Sequence, residues 1–329
     1  MLITNISDID RESWQRLLQQ SPTASWFQTP EAYDFYASLP NQMTPFVYAA
    51  RRGTSDSPLR EASPLLKGII VGYVTYEKNP VKQFFTRRAI IVGGPLLAED
   101  ITNEELSEML SALHSRLSSQ AIYIETRNFC DYSRWRSVFE RCGFAYMPHY
   151  DMHIACSDHR LMESRVNDSK MRQIRKAFDD GVEIVEAVEK NDVVVFYQLL
   201  STLYKEKIHK PLFALDFFTT FVEQKYGVLL LAKKGGQIIG GMLCPMLHGK
   251  ALYEWYVVGP TVVTWAAMDY ANLHGIPLFD LMGAGEPGKP YGVRDFKLQF
   301  GGKLKEFGRF LKVNNRLLYS IGRLGVRLL

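Results

Sequence analysis

Two tandem α/β domains, each a mixed central sheet flanked by helices, are the fold class this 329-residue sequence predicts. Three observations predict it. The length exceeds what one hydrophobic core ordinarily serves. One long order of strands and helices can be read twice along the chain. Hydrophobic residues make up 47% and charged ones 22%, the balance of a chain that folds throughout.

The second half carries the clearer signals. Val182 to Val188 alternates as a strand does, and Asp192 is placed to cap an apolar-periodic helix reaching about Lys207. A second helix follows near Asp216 to Tyr226. Val228 to Lys233, a Gly235-Gly236 turn, Ile238 to Met246, a His248-Gly249-Lys250 turn and Leu252 to Val258 then read as a three-strand meander. Helix Val262 to His274, strand Pro277 to Leu281, a short helix near Val293 to Gln299 and strand Lys303 to Val313 complete this half.

The first half repeats the order. Leu2 to Ile6 is followed by helices near Asp10 to Gln20 and Pro30 to Ser38, then strands Pro45 to Arg51, Lys67 to Glu77 and Arg87 to Val92. Helix Asn103 to Ser119, strand Ala121 to Thr126, helix Tyr132 to Arg141 and strand Phe144 to Ile154 follow. Residues 1–150 and 151–329 are therefore expected to be duplicated domains, the second ending in a helix. Gly53 to Pro58 reads as a loop.

Composition excludes several function classes. Met1 to Trp14 carries acids and no signal-peptide apolar segment, and nowhere do about 18 uncharged apolar residues run together, so a cytoplasmic protein is expected. Cys130, Cys142, Cys156 and Cys244 show no C-x-x-C spacing, against a structural zinc site or a disulfide framework. A net charge of +4 is too small to imply nucleic acid by itself, so the distribution of cations matters more than their total.

Arg172-Gln173-Ile174-Arg175-Lys176-Ala177 leads to Gly181-Val182, and Phe296-Lys297-Leu298-Gln299-Phe300-Gly301-Gly302 follows later. Both passages, and the element order, resemble the Fem family of peptidoglycan-bridge aminoacyltransferases, which carry an acetyltransferase-type (GNAT-like) fold. The resemblance implies transfer of an amino acid from aminoacyl-tRNA to an amine of a cell-wall precursor, with no tightly bound cofactor; related proteins use other acyl donors such as acyl-CoA or acyl carrier protein. Bridge-forming members place a phosphate-binding lysine soon after a segment like Trp26-Phe27-Gln28-Thr29-Pro30. Here Tyr33, Asp34, Phe35 and Tyr36 follow, and the next lysine is Lys67.

Acyl transfer to an amine needs a neutral nitrogen and a place for charge to develop on the carbonyl oxygen. With the family motif around it, Lys297 is the expected ammonium for that oxyanion. Glu254, in Tyr253-Glu254-Trp255-Tyr256-Val257, is a candidate base because flanking aromatics would desolvate it and raise its pKa; Asp280, at the end of Leu278-Phe279-Asp280-Leu281, is its rival. Either acid could instead satisfy buried hydrogen bonds. Tyr256, Gly283, Gly285 and Phe296 are assigned to the substrate-binding walls of a cleft between meander, glycine loop and Lys297. Arg172, Arg175 and Lys176, at i, i+3 and i+4 on one helical face, could hold phosphates of a donor such as tRNA, or simply be solvated.

Gly283 to Lys289 formally fits G-x-x-x-x-G-K, but Pro290 stands where a P-loop needs Ser or Thr. His149 and His153 share a strand face without a third ligand nearby in sequence, so no metal is expected. From Asn314 to Leu329, Leu317, Leu318, Ile321, Leu324 and Leu328 follow a helical pattern with Arg316, Arg323 and Arg327. That helix either packs back on the protein or contacts the inner membrane surface peripherally. The reading from another class is a non-catalytic binding module that kept the fold.

Overall fold

The fold was established from a computed structural model that describes residues 2–52 and 65–328, the last helix by its side chains as far as Gly322. The expected Gly53 to Pro58 loop lies outside them. The chain divides into two compact units, Met1–Pro148 with Phe307–Leu329, and His149–Glu306.

The first unit contains β1 (Leu2–Ile3), α1 (Arg11–Gln20), α2 (Pro30–Ala37), β2 (Met43–Arg51), β3 (Leu66–Thr75), α3 (Pro80–Thr86), β4 (Ala89–Gly93) and β5 (Leu96–Leu97). It continues with α4 (Asn103–Leu117), β6 (Tyr123–Asn128), α5 (Arg136–Arg141) and β7 (Ala145–Met147). Helix starts are local in origin: Asp10, Thr29 and Thr102 each accept a backbone N–H of the first turn, and α2 and α3 open on proline. Leu106, Met109, Leu110, Leu113 and Leu117 recur with helical period on α4 and are fully buried in the core against the sheet.

The second unit contains β8 (Tyr150–Ala155), α6 (His159–Arg165), α7 (Asp168–Asp179), β9 (Val182–Glu186), α8 (Lys190–Leu203), α9 (Leu215–Glu223), β10 (Gly227–Lys234) and β11 (Gln237–Leu247). There follow β12 (Ala251–Tyr253), β13 (Tyr256–Val258), α10 (Val262–Leu273), β14 (Leu278–Gly283), α11 (Gly292–Leu298) and β15 (Lys303–Glu306). The chain closes with β16 (Arg309–Val313) and α12 (Arg316–Leu328). The helix expected to be capped by Asp192 starts earlier, at Lys190, because the Asp192 carboxylate pairs with Lys233 at 3.3 Å.

The sheets have matching order, β1-β2-β3-β4-β6-β16-β7 in the first unit and β9-β10-β11-β12-β14-β8-β15 in the second. In each, one central pair is parallel, β4 with β6 and β12 with β14, and the other ladders are antiparallel. The fold is a duplicated α/β unit with two mixed sheets, as the repeated order predicts.

Two expected strands are each broken, and the breaks redraw the second domain. Phe144 to Ile154 is interrupted at Pro148, which has no N–H for a ladder, so β7 and β8 belong to different sheets. Lys303 to Val313 is interrupted at Gly308, whose φ of +66° places its backbone against the Tyr146 ring where no Cβ would fit. Residues 307–329 therefore belong to the first unit rather than extending a domain that begins at 151. There β16 lies between β6 and β7: Phe310 stacks on Phe139 with centroids 3.9 Å apart, and Thr126 Oγ1 accepts the Phe310 N–H at 3.0 Å. Arg309 donates to the buried Glu125 carboxylate at 2.7 Å.

Phe310→Ala should cost about 3–5 kcal/mol of stability, read in denaturant unfolding by the fluorescence of Trp14, Trp26 and Trp135. A chain ending at Glu306 should lose that cooperative transition. Its retention would show that the segment is not part of the first core.

Candidate active site

The second sheet opens at one place. Parallel pairing of β12 with β14 ends at Tyr253 and Asp280, with a last bond from Glu254 N–H to Asp280 O at 2.9 Å. Trp255 N–H then bonds Leu243 O at 3.1 Å, and β13 continues on β11. The expected Leu252 to Val258 strand is thus broken at Glu254-Trp255. Beyond Asp280, the carbonyls of β14 on this side have no neighbouring strand to supply donors, and buried carbonyls need them.

Lys297 supplies them. From α11 its Nζ donates to Leu281 O and to Gly283 O (3.3 Å), and it pairs with Glu254 Oε1 at 3.0 Å. Lys297 is 6% exposed and Glu254 9%. All three ammonium protons have acceptors, so the oxyanion role expected from the sequence would require one of these bonds to open. Burial raises the Glu254 pKa above its ordinary value, and the Lys297 ammonium offsets part of that rise.

The flanking motif explains how a lysine reaches this depth. Phe300 is fully buried and meets Phe296 edge-on at 5.2 Å. Gly301, with φ +76°, lies against the backbone of Arg165, and Gly302 lies against Met152, leaving no space for a Cβ at either. The second motif packs onto the first: Asn167, the cap of α7, donates its N–H to Gln299 O at 2.8 Å, and Lys170 Nζ lies 4.7 Å from the Phe296 ring centre. Phe296 thus packs on the core beneath α7.

Asp280 is fully buried on β14, its Oδ1 accepting the Met282 N–H at 2.6 Å and its Oδ2 lying 3.4 Å from His153 Nε2. That bond holds Met282 at φ +57°, an uncommon conformation for a residue with a Cβ. Burial pushes the Asp280 pKa up to about 7. Burial and the adjacent Asp280 carboxyl hold Asp151 well above the ordinary carboxylate range, and burial lowers the pKa of His153. Ligand-type atoms of Asp151, His153 and Asp280 lie within 4.8 Å of one another. Spacing alone does not reveal this trio, because Asp280 comes from a strand distant in sequence. The two acids and the imidazole form one buried, mutually interacting cluster between β8 and β14.

The glycine loop is organised by a residue that carried no sequence signal. Arg294 donates to the carbonyls of Glu286 (3.0 Å), Ala284 (3.4 Å) and Lys289. Carbonyls converging on a guanidinium are the reverse of a P-loop, where N–H groups converge on phosphate. Gly285, at φ +82°, faces the Tyr291 ring 2.7 Å from where a Cβ would stand, and Gly283 contributes its carbonyl to Lys297. Tyr256 is half-buried among aromatic rings, with Phe218 at 5.0 Å, Phe217 at 5.8 Å and Trp255 at 5.8 Å.

Arg172, Arg175 and Lys176 are exposed on α7. Arg172 and Arg175 line a 470 Å³ cleft with Arg160 from α6, and Arg175 also pairs with Glu163 at 3.0 Å. Lys176 does not line it.

The first unit has the equivalent opening, since β4 leaves β6 after Gly93 and β5 pairs with β3. There it is closed by neutral groups. Gln28 Nε2 donates to Gly93 O (3.1 Å) and Gly94 O (2.7 Å), and the Tyr132 hydroxyl lies 2.6 Å from Pro95 O. The Trp26 to Pro30 segment is thus a plug, and the buried acid–ammonium pair belongs to the second unit.

Lys297→Met leaves Glu254 buried without its partner and should cost about 3–5 kcal/mol. Adding Glu254→Gln should restore a substantial part of it. Additive losses in denaturant melts would show that the two side chains are not coupled.

No family model matches the sequence, and no curated protein is similar to it. Solved structures are. FemX superposes with a TM-score of 0.70 at 12% identity, over 97% of this chain and 99% of that one. L-PGS from Bacillus licheniformis gives 0.56 at 12% identity, covering 96% of each chain. A tandem GNAT protein from the clavulanic acid biosynthesis pathway gives 0.57 at 10% identity, over 95% and 98%. At these identities the likeness is one of fold, and the fold is the tandem acetyltransferase-like architecture that FemX also has.

Proposed function

We propose that this chain is an N-acyltransferase that moves an acyl group from an activated donor to an amine at the opening in the second sheet. The observation that carries this is the buried Glu254–Lys297 pair, set where a central parallel strand pair separates and absent from the equivalent opening of the first unit. A protonated amine cannot attack a carbonyl, so a carboxylate of raised pKa is suited to take its proton. Glu254 fills that role. Lys297 acts as a positioning residue, holding Glu254 ionised and fixing the end of β14. Asp280, on β14 beside His153 of β8, is the second candidate acid.

An aminoacyl donor is the favoured class. Among fold relatives of full coverage are FemX and a putative lysylphosphatidylglycerol synthetase domain from Agrobacterium fabrum, whose name denotes attachment of lysine. Arg160, Arg172 and Arg175 around one cleft suit the phosphates of a tRNA end. For acyl-CoA the chain offers little at the usual place. Gly259-Pro260-Thr261 alone joins β13 to α10, and Val262, Val263 and Thr264 at the start of that helix are buried. The acceptor we favour is an amine of a cell-wall precursor, and aminoacyl-tRNA as donor implies action in the cytoplasm.

A donor screen comparing aminoacyl-tRNA with acyl-CoA, with acylated product detected by mass, tests the class. No product from either donor would leave a binding module. Turnover should rise with pH as Glu254 loses its proton. Lys297→Met removes the ammonium that holds the Glu254 pKa down, so this limb should move to higher pH, with kcat on the acid side lowered about tenfold for each pH unit of that movement and KM little changed. A limb that stays in place would remove Lys297 from the proton-transfer role.

Arg172→Ala with Arg175→Ala should weaken binding of a tRNA-type donor and flatten the slope of log K against log salt by about 1.4, the share of two phosphate contacts. Equal slopes would leave the cluster a solvated face.

A further inference from the structure

Away from the site, apolar side chains concentrate on one face of the first unit. On α3, Val81, Phe84 and Phe85 are 66%, 48% and 43% exposed, at i, i+3 and i+4 on one side of the helix. α12 packs against α3 and presents Leu317 (71%) and Ile321 (44%), again one turn apart. The inner side of α12 is anchored. Leu318 is buried, and the Tyr319 ring meets Tyr123 edge-on at 5.4 Å. The exposed residues are therefore not a helix end waiting to fold inward.

The charge around this face is predominantly positive. Lys78, Lys82, Arg87 and Arg88 flank α3, with Glu77 the one acid between Tyr76 and Arg88, and Arg316 opens α12. Phe307 to Leu329 contains no Asp or Glu. Among the described residues, none of these five cations takes part in an ion pair. The Arg87 guanidinium lies 5.3 Å from the Phe84 ring centre, so charge and aromatic surface are presented together.

We infer that the α3–α12 face docks on an anionic lipid surface, with Val81, Phe84, Phe85, Leu317 and Ile321 entering the headgroup boundary and the surrounding cations facing lipid phosphates. Charge complementarity decides the occupant: exposed aromatics and aliphatics edged by unpaired lysines and arginines are the make-up of an interfacial helix pair. Among the described residues no helix is long and apolar enough to cross a membrane, so contact would be peripheral. The inference does not depend on acyl transfer, because docking needs neither donor nor acceptor.

The experiment is flotation of the full chain with phosphatidylcholine vesicles prepared with and without phosphatidylglycerol. Binding should require phosphatidylglycerol and weaken as NaCl rises. Phe84→Ser with Leu317→Ser should lower partitioning about tenfold or more, and Lys82→Glu with Arg316→Glu should abolish the preference for anionic vesicles. These side chains are exposed, so both variants should melt at the temperature of the unaltered chain. Equal binding to the two vesicle types, no binding to either, or full binding by the Phe84/Leu317 variant would overturn the inference. A dimer in sedimentation that the same variant dissolves would assign the face to a second copy instead.

Discussion

A strand that loses its neighbour must find other donors for its carbonyls, and the second unit is arranged around that need. Once β13 departs at Glu254, the buried Leu281 oxygen would be left unsatisfied, at a cost on the order of 1–3 kcal/mol, and the half-buried Gly283 oxygen would lose its donor too. A lysine side chain stands in for the missing strand. It brings a full charge into the interior, and that charge requires a carboxylate, so the backbone problem and the acid–base pair have one origin. The Phe296 to Gly302 turn, the Arg165 backbone beneath it and the Asn167 cap all serve to deliver this one ammonium.

The internal duplication provides its own control. In the first unit Gln28 and Tyr132, which carry no charge, donate to carbonyls where β4 departs, and among the described residues neither takes part in an ion pair. Ionisable chemistry is therefore an addition to the architecture and not a consequence of it. The segment around Gln28 is committed to packing and capping: its side-chain oxygen accepts the Ser25 N–H at 2.8 Å while its amide nitrogen closes the opening.

Much of the fold was legible because it is local. The α4 leucines, the caps at Asp10 and Thr102 and the turns at Gly235 and Gly249 state their structure within a few residues. Phe144 to Ile154 and Lys303 to Val313 misled because each alternates like one strand throughout, while a proline or a left-handed glycine divides it between two sheets; pairing partners far along the chain decide that. Lys297, Glu254 and Asp280 stand out in the sequence through motif and strand context, and the structure pairs the first two. That the ammonium has all its protons engaged, that Asp151 and His153 face Asp280, and that Arg294 gathers the glycine loop follow from contacts no spacing rule encodes. α3 was missed because a seven-residue helix between two strands leaves little periodic signal.

The placement of β16 bears on how the protein is made. Its two partners, β6 and β7, leave the ribosome long before it does, and until Arg309 to Val313 emerges they cannot close around it. During synthesis of the whole second unit, the first therefore presents β6 with an unfilled edge and Phe139 without the ring that stacks on it. An exposed strand edge invites pairing with other chains. Completion of the first core therefore waits until the whole second unit has been translated and β16 has followed it.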